Sequence, residues 1–70
     1  MRVKSNIGKK IEESGLRDDF IARSVGGVSK KTVYNWRKGL STPSFEKTFI
    51  LAHILGCKVD DLAKIIEVEE

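Results

Sequence analysis

One cysteine, one histidine and one proline in 70 residues restrict what this chain can be. A lone Cys cannot close an internal disulfide, and small secreted domains commonly rely on several. A reducing, cytoplasmic setting is therefore expected. A structural zinc site needs four ligands. His53 and Cys57 stand four apart, a spacing that presents two, and only Asp60 or Asp61 remain to help. A half-exposed imidazole and a small buried thiol at a helix end account for the pair, so no metal is expected. The longest uninterrupted apolar run, residues 49–52, is far short of the roughly 20 residues that cross a bilayer. Residues 1–6 hold no apolar signal core, and no membrane partner is expected. No strand-like alternation of useful length appears, so no glycine-rich phosphate loop can follow a strand. Neither catalysis nor a cofactor is expected.

The size sets a further limit. A chain this short buries only about 60% of its unfolded surface. It is expected to form one domain over 1–70, with little room for a separate sensor.

Charge is distributed unevenly. Residues 1–40 carry ten cations against four acids, a balance of +6. Residues 41–70 carry three cations against six acids, a balance of −3, which leaves the net charge at +3. A polyanion would meet the N-terminal part. Ordinary solvated surface explains the same asymmetry, so charge alone decides little.

Glycines at 15, 26, 27, 39 and 56 each follow a stretch of helical periodicity. Five helices are expected, at about 5–14, 18–25, 29–38, 45–55 and 60–67. Ile7 and Ile11 share a face of the first. Asp18 and Asp19 suit the positive start of the second, where Phe20, Ile21 and Val25 turn inward. The fourth has one apolar stripe of Phe45, Phe49, Ala52 and Leu55 and another of Ile50 and Ile54. Such a helix is central to a core; the Ile50/Ile54 stripe is also a candidate dimer seam, and packing by helix five explains it equally well. In the fifth, Leu62, Ile65 and Ile66 face inward.

The stretch 28–39 carries the most information. Ser29 is a good N-cap and Gly39 suits the left-handed residue that closes a helix. A rotation of about 100° per residue puts Val33 and Trp36 on one side. Lys30, Lys31, Tyr34, Asn35 and Lys38 fall on the other. Trp36 shares its face with Val33 and is a core anchor rather than a stacking platform. The link from helix two is a short turn with two glycines, the pattern of a helix-turn-helix. In that geometry the second helix of the pair enters the major groove.

Ala22, Val25-Gly26, Val28-Ser29, Thr32-Val33, Trp36, Gly39 and Pro43-Ser44, in that order, resemble the lambda-repressor-like (Xre/Cro type) helix-turn-helix family. Leu51-Ala52, Leu55-Gly56, Val59 and Asp61-Leu62 look like its closing pattern. The similarity covers roughly 7–66. It implies an all-α, compact five-helix DNA-binding domain and a transcriptional regulator, often a homodimer, of a kind common in phage and mobile elements. The positions matching the family's base-reading residues are Lys30, Lys31 and Asn35, with Tyr34 beside them. Lysine can donate to guanine O6 and N7, and Asn can bond adenine bidentately. Phosphate contact or solubility is the other reading of the two lysines. The Tyr34 ring suits a thymine methyl, or its hydroxyl a phosphate. Arg17, Lys38, Ser41 and Thr42, with Arg37 adjacent, match backbone-gripping positions, and the N–H groups that open helix two add to these.

Three departures from the family carry consequences. The turn at Gly26-Gly27 has one residue more than the commonest form, which bears on the angle between helices two and three. Where relatives often have a phosphate-binding Gln, this chain has Asp18, an anion that repels phosphate, with Arg17 beside it to compensate. Where many relatives have a Glu paired with an Arg of helix one, this chain has Arg37. That internal pair is expected to be absent and Arg37 free to reach DNA. A second function remains open on the same scaffold: a protein-interaction module, an anti-regulator or antitoxin-like partner of another protein. Asp18 and the longer turn favour it, and the lysines of helix three favour double-stranded DNA.

Overall fold

The computed structural model describes residues 2–66. In chain order its elements are β1 (Arg2–Ser5), α1 (Ile7–Ser14), α2 (Asp18–Val25), α3 (Lys30–Lys38), α4 (Phe45–Leu55), α5 (Val59–Leu62) and β2 (Ala63–Ile66). The three central helices lie where periodicity places them, and local chemistry fixes the starts of α3 and α4. Ser29 Oγ accepts a hydrogen bond from the Thr32 amide at 3.1 Å, and Ser44 Oγ one from the Lys47 amide at 3.3 Å. Each satisfies an amide that the first helical turn leaves without a partner. At the end of α3, Gly39 takes φ 75°, and the Leu40 amide reaches back to the Asn35 carbonyl at 2.9 Å. Left-handed backbone of this kind favours glycine strongly.

The core draws on all five helices. Ile7 and Ile11 of α1, Ile21, Ala22 and Val25 of α2, Val33 and Trp36 of α3, Leu51 and Ala52 of α4, and Leu62 of α5 are buried together. Among the described residues every buried one is hydrophobic, and no buried side-chain polar atom lacks a partner. Unpartnered polar groups, the costliest occupants of a small core, are thereby avoided.

The two ends of the described chain differ from expectation. The fifth helix is a single turn, and from Ala63 the chain is extended. β2 pairs antiparallel with β1, setting Arg2 opposite Ile66, Val3 opposite Ile65, Lys4 opposite Lys64 and Ser5 opposite Ala63. The fold is therefore mostly helical with a two-stranded ribbon, rather than all-α. The β-branched Val3, Ile65 and Ile66 suit extended backbone. The Asn6 amide donates to the Leu62 carbonyl at 2.8 Å and ties the base of the ribbon. Ile65 is consequently 67% exposed rather than inward. Ser5 belongs to β1, so α1 starts at Ile7. Glu67, the expected end of the fifth helix, lies outside the described residues.

Two packing expectations are also corrected. Phe20 is 45% exposed, and Phe45 and Phe49 are exposed, stacked edge to face with centroids 5.1 Å apart. Of the stripe that Phe45 and Phe49 begin, Ala52 is buried and Leu55 packs against the core, and so do Ile50 and Ile54 of the other stripe. Leu51 and Ala52 set the buried side of α4, and Phe45 and Phe49 fall beyond its edge.

Two contacts hold α3 in place. Gly8 of α1 lies so close to α3 that a Cβ there would overlap the Arg37 carbonyl oxygen. Across the α2–α3 turn, Gly26 and Gly27 both take positive φ, at 82° and 71°. This turn is thus built on two backbone conformations that side chains rarely adopt. Lys47 Nζ of α4 donates to the Gly26 carbonyl at 3.4 Å and braces the turn from below.

Candidate nucleic-acid interface

α3 turns Val33 and Trp36 inward, the first wholly buried and the second nearly so. Lys30, Lys31, Tyr34 and Lys38 are exposed on the opposite side. Lys38 Nζ sits 5.7 Å from the centre of the Tyr34 ring, within the range of a cation–π contact. The two residues therefore form one cationic-aromatic surface rather than separate groups. Asn35 is half-buried at the edge of this face, so it stands beside the cations and not among them. Around Lys30 the surface is concave. A shallow depression of about 460 Å³ is lined by Asp18, Lys30, Lys31 and Tyr34. A second, of about 480 Å³, runs along Asp19, Arg23, Lys30 and the glycine turn.

Of the backbone-gripping candidates, Arg17 precedes α2 and its side chain is 82% exposed, 3.4 Å from Asp19. Ser41 and Thr42 are exposed in the loop between α3 and α4. Lys38 completes a set that flanks the outer face of α3.

Arg37 departs from this group. Its Nη1 lies 2.7 Å from Glu12 Oε1 of α1. Its Nε and Nη2 both donate to Asp18 Oδ1, at 3.0 and 2.7 Å, and Nη2 also donates to the Leu16 carbonyl at 3.3 Å. The side chain is only 17% exposed. Hydrogen bonds to Glu12 and Asp18 outweigh the desolvation of the guanidinium and hold its pKa above the usual arginine value. An ion pair between α1 and α3 is therefore present, with Arg on α3 and Glu on α1. This corrects the expectation that the pair is absent, and it removes Arg37 from the groups free to meet a phosphate.

The same geometry changes the meaning of Asp18. Its carboxylate is turned inward to Arg37 and is 15% exposed. An anion neutralised at contact distance projects little repulsion toward a ligand at the start of α2. Helical phase held the available clue: Arg37 follows Val33 by four residues, which places its stem toward the core side of α3. Which acids it meets depends on distances between elements, and nothing in local sequence states them.

His53 is exposed and Cys57 half-buried. Burial, followed by the nearby Asp61, pushes the Cys57 thiol above its ordinary pKa. Among the described residues no three His, Cys, Asp or Glu side chains converge as a metal site would require. No described helix is long and apolar enough to cross a membrane.

No curated protein and no solved structure matches the chain significantly. A helix-turn-helix family model matches residues 7–62, spanning α1 to α5. With its glycine turn between α2 and α3 and a capped, cationic α3 beyond it, the chain belongs to the lambda-repressor-like helix-turn-helix family.

Proposed function

We propose that the protein is a sequence-specific regulator that binds double-stranded DNA with α3 in the major groove, in the manner of phage or mobile-element repressors. The observation that carries this reading is the outer face of α3. Its apolar residues are buried, and Lys30, Lys31, Tyr34 and Lys38 stand together in solvent. In this reading Lys30, Lys31 and Tyr34 approach base edges from the N-terminal half of α3. Asn35 reads from the flank, where an amide can offer adenine both a donor and an acceptor. Arg17, Lys38, Ser41 and Thr42, with the open amides of α2, hold the phosphates and so set register. The protein acts in the cytoplasm, binds no cofactor and is not an enzyme.

Salt dependence of binding tests this. Each phosphate contacted should contribute a slope of about −0.9 to log K against log salt. Lys38→Ala is expected to weaken binding to all duplexes alike and to reduce the slope by about one contact's worth. Binding that does not respond to salt contradicts the reading.

A second reading, a protein-interaction module, is favoured by the exposed Phe45–Phe49 pair on α4. The inward turn of Asp18 removes one of its original supports. Failure to bind any duplex at low salt, with a protein partner recovered instead, selects this second reading.

A further inference from the structure

Glu12–Arg37 and Asp18–Arg37 are the only ion pairs among the described residues that join different helices. They meet on one side chain. Through it the last turn of α3 is tied to α1 at Glu12, to the α1–α2 connection at the Leu16 carbonyl and to the first residue of α2 at Asp18. Glu12 and Arg37 lie outside the exposed Lys30–Lys31–Tyr34–Lys38 surface, and Asp18 borders it, lining the depression beside Lys30, Lys31 and Tyr34.

We propose that Arg37, held between Glu12 and Asp18, is a positioning residue for DNA discrimination: it locks α3 to the start of α2, so that base-reading and backbone-gripping groups meet one duplex in one register. The inference rests on the DNA-binding reading given above. Backbone contacts fix where a protein sits, and base contacts carry sequence information only if that position is held. In this fold the backbone contacts begin at the N-terminus of α2 and the base contacts lie on α3. The relation between the two elements is therefore what discrimination depends on. Arg37 spans that relation with a planar fork, two of whose nitrogens share Asp18 Oδ1. A lysine carries the charge but not the fork.

This assignment reverses the simplest expectation for Asp18. An acid beside a DNA-binding face weakens binding to every duplex, and its removal would tighten all of them equally. As the anchor for Arg37, Asp18 instead supports discrimination. The network also makes its members interdependent. Exchanging the charges of Glu12 and Arg37 would rebuild the α1–α3 pair but set a carboxylate against Asp18.

The test compares dissociation constants for a duplex enriched from a random pool by the wild-type protein and for a random duplex of equal length. Their ratio is measured for Asp18→Asn, Arg37→Lys, the double exchange Glu12→Arg/Arg37→Glu, and that exchange combined with Asp18→Gln. Circular dichroism melts identify the variants that fold. Asp18→Asn and Arg37→Lys are expected to lower the ratio roughly five- to tenfold, within the range of measured couplings between sites. The double exchange should lower it further, and the triple variant should recover most of it. A folded Asp18→Asn protein that binds both duplexes more tightly by the same factor overturns the proposal. So does an unchanged ratio in folded Asp18→Asn and Arg37→Lys. A wild-type protein that enriches no duplex removes the DNA reading itself, a result distinct from variants that discriminate as well as the wild type.

Discussion

At position 8 a single methyl group decides how closely α1 and α3 approach. Gly8 faces the Arg37 carbonyl oxygen, which belongs to backbone and cannot turn aside. Gly8→Ala would normally stabilise a helix, since Gly is about 1 kcal/mol less favourable than Ala there. Here the two helices must move apart, and overpacking of this kind costs about 1–3 kcal/mol. A lower melting temperature is expected, by about 4–8 °C for each kcal/mol of net loss in a domain of this size. A melt at or above the wild-type temperature contradicts the close approach. Sequence could not supply this, because Gly8 lies within a helical pattern and its neighbour is on another element. The same limit applies to Arg37. Its helical phase is legible, but its partners Glu12 and Asp18 lie on α1 and α2. By contrast, Lys30, Lys31, Tyr34 and Lys38 follow from periodicity within α3 alone, and so do the buried Val33 and Trp36.

At the scale of elements, legibility follows how local the determinants are. α3 and α4 carry their own serine caps, α2 starts at the acids Asp18 and Asp19, and all three lie where the sequence places them. The fifth helix fails after one turn because strand pairing with β1 competes for the same residues, and that partner lies at the other end of the chain. Ile65 and Ile66 fit an amphipathic helix as well as a strand, so periodicity could not separate the two. The resulting ribbon has only two short strands, and such units are marginal without further support. It also carries a local conflict, since Lys4 stands directly opposite Lys64. Opposed like charges destabilise a strand pair, and opposite charges contribute about 0.2–1 kcal/mol. Lys4→Glu is therefore expected to raise the melting temperature and to slow amide exchange in β1 and β2. Unchanged exchange in both strands speaks against this register.

At the scale of the whole molecule, shape and charge limit how copies can share a duplex. The described chain measures 42 × 22 × 22 Å. Two half-sites of a palindrome on one face of DNA lie about 34 Å apart, between the short and long dimensions of one copy. A copy with its long axis along the duplex spans that separation and meets a second copy in the next major groove. Ile50 and Ile54, the stripe the sequence offers as a dimer seam, pack against the core instead; we propose a homodimer on DNA in which the exposed Phe45 and Phe49 of α4 lie toward the partner copy. Sedimentation on an enriched duplex is expected to show two copies, and one copy after Phe45→Ser/Phe49→Ser. One wild-type copy on a single half-site removes the dimer. Enrichment of duplexes from a random pool, by the wild type and by Lys30→Ala/Lys31→Ala in parallel, tests the outer face of α3 most directly. The predicted result is a defined motif for the wild type that loses one or two base pairs of preference in the variant. The same motif from both proteins, or no motif from the wild type, contradicts the assignment of that face to sequence-specific DNA recognition.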